Sequence, residues 1–509
     1  MKTFARLFSC PIVELAIRQW MIGGSARAGF DGRAKGGMRQ MNIADDILSV
    51  DGVMTRARAA QAGYEAQGSQ SRYDRAAQAA AWAIMEPGRN RLLAELAVRT
   101  TGLGNVADKI TKNHRKTLGL MRDIRDVRTF GIIADDPATG ITEIARPIGV
   151  IGAVVPSTNP AATPANNIVN ALKCGNAIIL SPSPKGVACC EMLLDYIHAE
   201  FDKIGEDKAL VQMLPAPGSK AKTQRLLETC DLAIVTGSQD NVRRAYESGT
   251  PAIGVGAGNV AVIVDETADL AAAAARIAAS KTFDNATSCS SENALIVVDA
   301  IYDDFLAAMA AEGGAVVPAA EAGGIVARLW PDGHLNREII ARDADVTVEK
   351  LGLTGRVREG TRFLAVETDG IGPDHPLSGE KLSRVAALYR ARDFADATRI
   401  ARRILTHQGA GHSIGLHSAD PDRPVAMGRD LPVCRVIVNQ AHCFATGGAF
   451  DNGLPFSLSM GCGSWGGNSI DANLHWRHFT QTTRVVRAIP PREPELDEIF
   501  AGYWAEAGR

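Results

Sequence analysis

From Ala44 to about Arg128 the apolar positions recur at helical spacing, in Arg56–Glu65, Tyr73–Met85 and Arg91–Thr100, with Pro87-Gly88 as punctuation between the last two. Asp108–Arg128 predicts a further basic helix or helix pair. Its Lys109, Lys112, Arg115, Lys116, Arg122, Arg125 and Arg128 read as a solvated face. At Ile148 the pattern changes. The strand-like runs Ile148–Val155, Ala177–Leu180, Leu210–Leu214, Leu232–Val235 and Val260–Val264 are separated by the helical stretches Ala161–Leu172, Lys185–Ile204, Lys220–Thr229 and Ser238–Ser248. Short strands alternating with helices predict a parallel sheet with helical crossovers. A second α/β unit starts near Glu266, with an Ala-rich helix to Phe283, a strand Ala294–Val298, a helix Tyr302–Glu312 and alternation through Leu416. The last stretch is Gly-rich and then strand-like at Thr482–Ile489, and Gly140–Arg146 and Gln481–Ala488 read as sheet arms.

Composition narrows the class. The chain has 509 residues, long enough for roughly three domains. With 46% hydrophobic and 22% charged residues it is an ordinary globular composition that needs no staples. A net charge of −2 argues against a phosphate-backbone binder, and 5% aromatics against base stacking, so no nucleic acid is expected. No apolar run reaches membrane-spanning length. Nine cysteines, an odd number at irregular spacing, suggest free thiols in a cytoplasmic setting, and no metal-ligand spacing occurs. Residues 1–40 stand apart. Their seven basic and two acidic residues and the Gly/Ala/Arg-rich Gly23–Gly37 suggest a flexible extension or an upstream start. Pro11 and Glu14 spoil a signal peptide, and Pro11 weakens an amphipathic targeting helix.

Parallel sheets bind ligands beyond the carboxyl ends of their strands, so the loops after the strands hold the candidate chemistry. Asn159, in Pro156-Ser157-Thr158-Asn159-Pro160, is either a helix N-cap or an amide donor to an oxyanion. Ser181-Pro182-Ser183-Pro184-Lys185 and Thr236-Gly237-Ser238 each enter a helix, where free N–H groups suit a phosphate. Two such ends in one sheet suggest a nucleotide site. Gly254-Val255-Gly256-Ala257-Gly258 precedes a strand instead of opening a helix, so it is no Rossmann fingerprint and reads as a Gly-rich turn. Cys289, in Thr287-Ser288-Cys289-Ser290-Ser291, lies among small polar residues, the setting of a reactive thiolate, whereas Cys174 and Cys230 read as packed thiols.

In this order, Arg146-Pro147-Ile148-Gly149-Val150, Ser157–Pro160, Ser181–Pro184, Thr236–Ser238, Gly256–Asn259, Ser288–Ser290, His375-Pro376-Leu377 to Glu380-Lys381-Leu382-Ser383, Gly409–His412 and Gly461–Ser469 make the chain resemble the aldehyde dehydrogenase superfamily. Within it, the chain resembles the CoA-acylating branch from about Asp45 to Ala488. The resemblance implies an α/β fold of two Rossmann-type lobes with a β-strand oligomerisation arm. The dinucleotide-binding domain would cover 41–130 and 148–265, the catalytic domain 266–475, and the arm 131–147 and 476–495. It implies Cys289 as nucleophile, and Asn159 with the Cys289 N–H as oxyanion hole. Pro156, Ser157, Ser181, Ser183, Thr236, Gly237, Ser238, Gly256 and Gly258 would lie along the dinucleotide, with Glu380 on the nicotinamide ribose. His412 matches a histidine of the acylating branch whose role the sequence does not give.

Two departures from the hydrolytic branch matter. Gly254–Asn259 lacks the Glu that activates water there, which points to a CoA thiolate as acyl acceptor. Pro184, with Lys185 beside it, replaces a ribose-binding carboxylate, so NADP is expected to be tolerated as well as NAD. The stretch Thr101–Val106 through Lys112–Lys116 resembles acylating sulfoacetaldehyde dehydrogenases, which implies Lys112 and Arg115 as partners of an anionic aldehyde. The expected reaction is therefore aldehyde, CoA and NAD(P)+ to acyl-CoA through a Cys289 thioester, in a homodimer or homotetramer without a metal. Sulfoacetaldehyde leads, ahead of acetaldehyde or another short aldehyde, a hydrolytic enzyme, and a non-catalytic dinucleotide-binding protein.

Overall fold

The computed structural model describes residues 43–256 and 258–509; the expected extension 1–40 lies outside the described residues. Local signals set the ends of the first helices, Ile43–Ala66, Gln70–Met85, Pro87–Thr101 and Val106–Ile124. Ser69 Oγ accepts from Arg72 N, the Glu86 carboxylate from the N–H groups of Gly88 and Arg89, and Asn105 Oδ1 from Asp108 N. Donors that a first turn leaves free are thereby satisfied. Gly102, at φ +70, ends the third helix in the left-handed conformation glycine adopts without steric cost. The alanine-rich Gln70–Met85 packs against the helices Ala162–Lys173 and Val187–Ile204.

Three sheets follow. β1 (Gly131–Asp136), β2 (Ile141–Pro147) and β15 (Thr480–Val486) form an antiparallel sheet in the order β1-β2-β15. The two expected arm stretches therefore do pair, and Gly131–Asp136, placed in the arm segment 131–147 but not read as a strand, adds β1. β3 (Val150–Val155), β4 (Ala177–Pro182), β5 (Val211–Met213), β6 (Leu232–Thr236) and β7 (Ala252–Val255) form a parallel sheet in the order β5-β4-β3-β6-β7. β3 is buried along its whole length, as its unbroken apolar run requires. The chain leaves β3 toward β4 and β5 and returns to β6 on the other side. The crevice of such a reversal lies beyond the carboxyl ends of β3 and β6.

β8 (Val260–Val264), β9 (Glu292–Val298), β10 (Gly314–Val317), β11 (Phe363–Glu367), β12 (Val385–Ala391), β13 (Ile414–His417) and β14 (Val436–Val438) form a second parallel sheet. Its order is β10-β11-β12-β9-β8-β13-β14. Val260–Val264, grouped in the sequence with the first sheet, thus belongs to the second, where it pairs with β9 and β13. Part of the supposed Gly-rich turn is the edge strand β7. Gly254 hides that strand in the sequence, and packing explains the glycine: a Cβ there would stand 2.5 Å from Val242 Cγ1. A C-terminal helix, Leu496–Ala507, was not anticipated; none of its residues is buried. Among the described residues no helix is long and apolar enough to cross a membrane, and no group of His, Cys, Asp and Glu could hold a metal.

Candidate active site

The loops after β3, β4 and β6 and the turn before β9 line one cleft of about 720 Å³. Of the residues singled out in the sequence, Pro156, Ser157, Asn159, Ser181, Ser183, Thr236, Gly237, Ser238, Gly256, Cys289, Glu380, Lys112 and Arg115 line it. Three do not. His412 is buried beneath Cys289. Gly258 supports the site from behind: its N–H donates to the Glu380 carboxylate, and a Cβ there would stand 2.2 Å from Cys289 O. Lys185 is exposed and outside the lining; the cations along the first sheet are instead Lys220 and Arg244. Sequence reasoning missed those two, with Ser219, Thr223 and Lys116. Ser219 and Lys220 open the helix after β5, so the strand-to-helix rule applied at β4 and β6 could have found them.

Cys289 Sγ lies 3.4 Å from His412 Nε2, and His412 Nδ1 lies 2.8 Å from Ser413 Oγ. Burial pushes the Cys289 thiol up to about 12, with Glu380 adding to the effect, and pushes His412 down to about 3. Both shifts favour the neutral forms, a thiol beside a neutral imidazole, at a Cys289 that is half-buried on the cleft wall. A neutral imidazole can accept the thiol proton.

The turn that carries Cys289 is strained. Asp284, Asn285 and Ala286 have φ of +47, +55 and +60, each costing on the order of 1 kcal/mol unless the surroundings impose it. They do. The Asp284 carboxylate accepts from Lys112 Nζ at 2.5 Å, Lys109 Nζ at 3.1 Å, Thr287 Oγ1 at 2.8 Å and Asn105 N at 3.0 Å. Burial opposes ionisation of Asp284, but Lys112 and Lys109 outweigh it, and the carboxyl titrates below its usual range. Lys109 and Lys112 are buried, as is Lys116, so this side of Val106–Ile124 is not the solvated face the sequence suggested. Lys112 Nζ also donates to Asn159 Oδ1 at 3.0 Å. The NH2 of Asn159 is then the free end of the amide on the cleft wall, and the donor reading of Asn159 fits; the helix Ala162–Lys173 is entered through Ala161, so Asn159 does not stand at its N-cap.

One turn farther along the helix the setting differs. Arg115 stacks on Phe444, 4.8 Å from the ring centre, and donates to the Phe444 and Gly448 carbonyls. Lys116 Nζ donates to Gly447 O at 2.5 Å. Both line the cleft, and neither forms an ion pair among the described residues. Burial, reinforced by Arg115, pulls Lys116 down to about 7. Lys112 thus has its charge paired with Asp284, whereas Lys116 beside Arg115 has no carboxylate partner among the described residues.

Polar atoms without protein partners mark where a dinucleotide fits. Glu380 Oε1 and Ser183 Oγ are buried and unpartnered among the described residues. Desolvation lifts the Glu380 carboxyl to about 8. Ser238 caps the helix Gln239–Glu247 at the cleft edge. Five cationic side chains (Lys112, Arg115, Lys116, Lys220 and Arg244) and one carboxylate, Glu380, line the cleft. That balance favours polyanionic ligands.

Comparison with known proteins gives the family of the chain. The model of the aldehyde dehydrogenase family matches residues 44–318. The chain is similar to an acylating sulfoacetaldehyde dehydrogenase of Cupriavidus necator, 56% identical over 91% of this chain and 93% of that one. An acylating sulfoacetaldehyde dehydrogenase of Bilophila wadsworthia is 38% identical over 87% of this chain and 96% of that one. The crystal structure of an acetylating aldehyde dehydrogenase from Geobacillus thermoglucosidasius superposes with a TM-score of 0.85 at 32% identity. The match covers 90% of this chain and all of that one.

Proposed function

The chain belongs to the aldehyde dehydrogenase family, in its CoA-acylating branch, and from that premise we propose that it oxidises sulfoacetaldehyde to sulfoacetyl-CoA with NAD or NADP. The observation that carries the substrate class is Lys116: a buried ammonium on the cleft wall with no carboxylate partner among the described residues, next to Arg115 in the same condition. A sulfonate supplies the missing negative charge. Two relatives bearing the name of this activity point the same way.

His412 Nε2 takes the Cys289 proton as the sulfur adds to the aldehyde carbon. The oxyanion that forms receives the Asn159 NH2 and the Cys289 N–H. The nicotinamide, when bound, supplies the hydride acceptor. Glu380, its N–H donor at Gly258, and Ser183 offer the polar atoms that hold a ribose and a phosphate. Loss of hydride from the carbon converts the adduct to a thioester on Cys289. Besides Glu380 no carboxylate lines the cleft, so water lacks the carboxylate base that hydrolysis uses, and a CoA thiol, the better nucleophile, takes the acyl group. His412, having released the first proton to solvent, accepts that thiol's proton and returns it to the Cys289 sulfur as it leaves. Lys220, and Arg244, which also pairs with Asp240 at 3.5 Å, suit the phosphates of both dinucleotide and CoA, and admit a 2′-phosphate.

The outer strands β1 and β15, with Ile132, Val485 and Val486 exposed, form the oligomerisation arm of a homodimer or homotetramer. Eight free cysteines among the described residues fit a reducing cytoplasm.

The test is an assay of cofactor reduction with sulfoacetaldehyde and propionaldehyde, with and without CoA, and mass spectrometry of the product. Sulfoacetyl-CoA should form, kcat/KM should favour the sulfonate, and turnover should collapse without CoA. A free acid as main product, or a preference for the neutral aldehyde, overturns the reading.

A further inference from the structure

We propose that Lys112 is a positioning residue that couples the two halves of the oxyanion hole, aiming the Asn159 amide while holding the turn that presents the Cys289 N–H. The proposal rests on the oxyanion reading of Asn159 given above. The observation is one ammonium with three partners. Lys112 Nζ donates to Asn159 Oδ1 at 3.0 Å, to Asp284 Oδ2 at 2.5 Å and to Thr287 Oγ1 at 3.1 Å. Asn159 follows β3, and Asp284 and Thr287 lie in the turn before β9. The ammonium therefore ties a loop of the first sheet to a loop of the second.

An ammonium has three donors and no acceptor. It can bind only the carbonyl end of the Asn159 amide, so it decides which end of that amide faces the cleft. Without Lys112 the amide can turn over and offer an oxygen, which repels an oxyanion. The same contact draws electron density toward Oδ1 and strengthens the opposite N–H groups as donors.

The second half of the device is the strained turn. Asp284, Asn285 and Ala286, all at positive φ, lead directly into Thr287-Ser288-Cys289. Thr287 donates to the carboxylate that Lys112 binds and sits within reach of the same ammonium. Gly104 lets Asp284 approach: a Cβ at 104 would stand 1.8 Å from Asp284 Oδ1. Lys109 shares Asp284 and binds Thr158 O at 3.1 Å, on the loop that carries Asn159. Two lysines and one aspartate thus fix both loops, and of the two lysines only Lys112 reaches the Asn159 amide.

The experiment is a double-mutant cycle of Lys112→Met and Asn159→Ala, read with both sulfoacetaldehyde and propionaldehyde. Lys112→Met should lower kcat by about 10–100-fold for both aldehydes, with each KM changed less than about threefold. The double variant should lose less than the product of the two single losses, since an amide that is absent cannot be misaimed and only the share owed to the turn remains. Lys112→Gln, whose amide can still donate to Oδ1, should recover part of kcat, and it runs the same cycle if the Met variant fails to fold. Losses that multiply in the double variant overturn the proposal, as does a loss confined to the KM of the sulfonate. A fall of less than about tenfold in Asn159→Ala alone removes the oxyanion reading, and the proposal with it.

Discussion

Along the single helix Val106–Ile124, lysines are buried under opposite conditions. Lys109 and Lys112 share the carboxylate of Asp284, which is itself fully buried. Lys116, one turn on, has the Gly447 carbonyl and the face of Phe456, and its neighbour Arg115 backbone carbonyls and two aromatic rings, with no carboxylate for either among the described residues. A buried cation with its acid is closed: its charge is spent inside the protein and can only hold parts in place. A buried cation without one is open, because desolvation has been imposed and no counter-charge supplied. The first kind belongs to the scaffold of a site and the second to its ligand.

The sharpest break of this contrast is at Asp284. Asp284→Ala strands two buried ammonium groups and releases the strained turn, so stability should fall by about 3–5 kcal/mol, read as a drop in the urea midpoint. Lys116→Met should leave that midpoint unchanged or raise it, since it removes a charge that lacks a partner. Equal destabilisation by the two substitutions would erase the distinction.

A smaller effect sharpens the catalytic side. Lys116→Met should lower kcat/KM for sulfoacetaldehyde by about 30–100-fold, the worth of a charge-assisted contact, and leave propionaldehyde within about threefold. The pH dependence has a definite sign. Lys116 must be protonated to hold an anion, and its pKa is pulled down to about 7. The preference for sulfoacetaldehyde over propionaldehyde should therefore fall as pH rises through 7, and should be flat in Lys116→Met. The smallest effect is expected at the dinucleotide end. Lys220→Ala should reduce the use of NADP relative to NAD by about three- to tenfold, while the exposed Lys185→Ala changes that ratio less than about twofold, as steady-state assays with both cofactors will show.

Much of this was legible in the chain. β3, β4 and β6 have runs of apolar residues that only buried parallel strands need, and the loops that follow them carry Asn159, Ser183 and Ser238. The state of the lysines was not legible as read, because whether a cation is buried depends on what covers it. A trace existed nonetheless. Leu120 and Ile124 define the buried stripe of the helix, and stepping back by helical turns from Leu120 lands on Lys116, Lys112 or Asn113, and Lys109. The polar residues lie in the phase of the core. β7 escaped for a different reason, a packing glycine in a short strand. The contact of Cys289 with the buried His412 joins residues 123 apart, and nothing local records it.

The run of left-handed residues at 284–286 has a meaning for descent as well as for chemistry. Its conformation is held by contacts from Asn105, Lys109 and Lys112 and by the room Gly104 leaves, residues some 180 positions earlier in the chain. No one of these can drift alone, so the helix and the nucleophile's turn should pass through lineages as a single heritable block. A graft of the cysteine loop into another scaffold should take only when that helix travels with it.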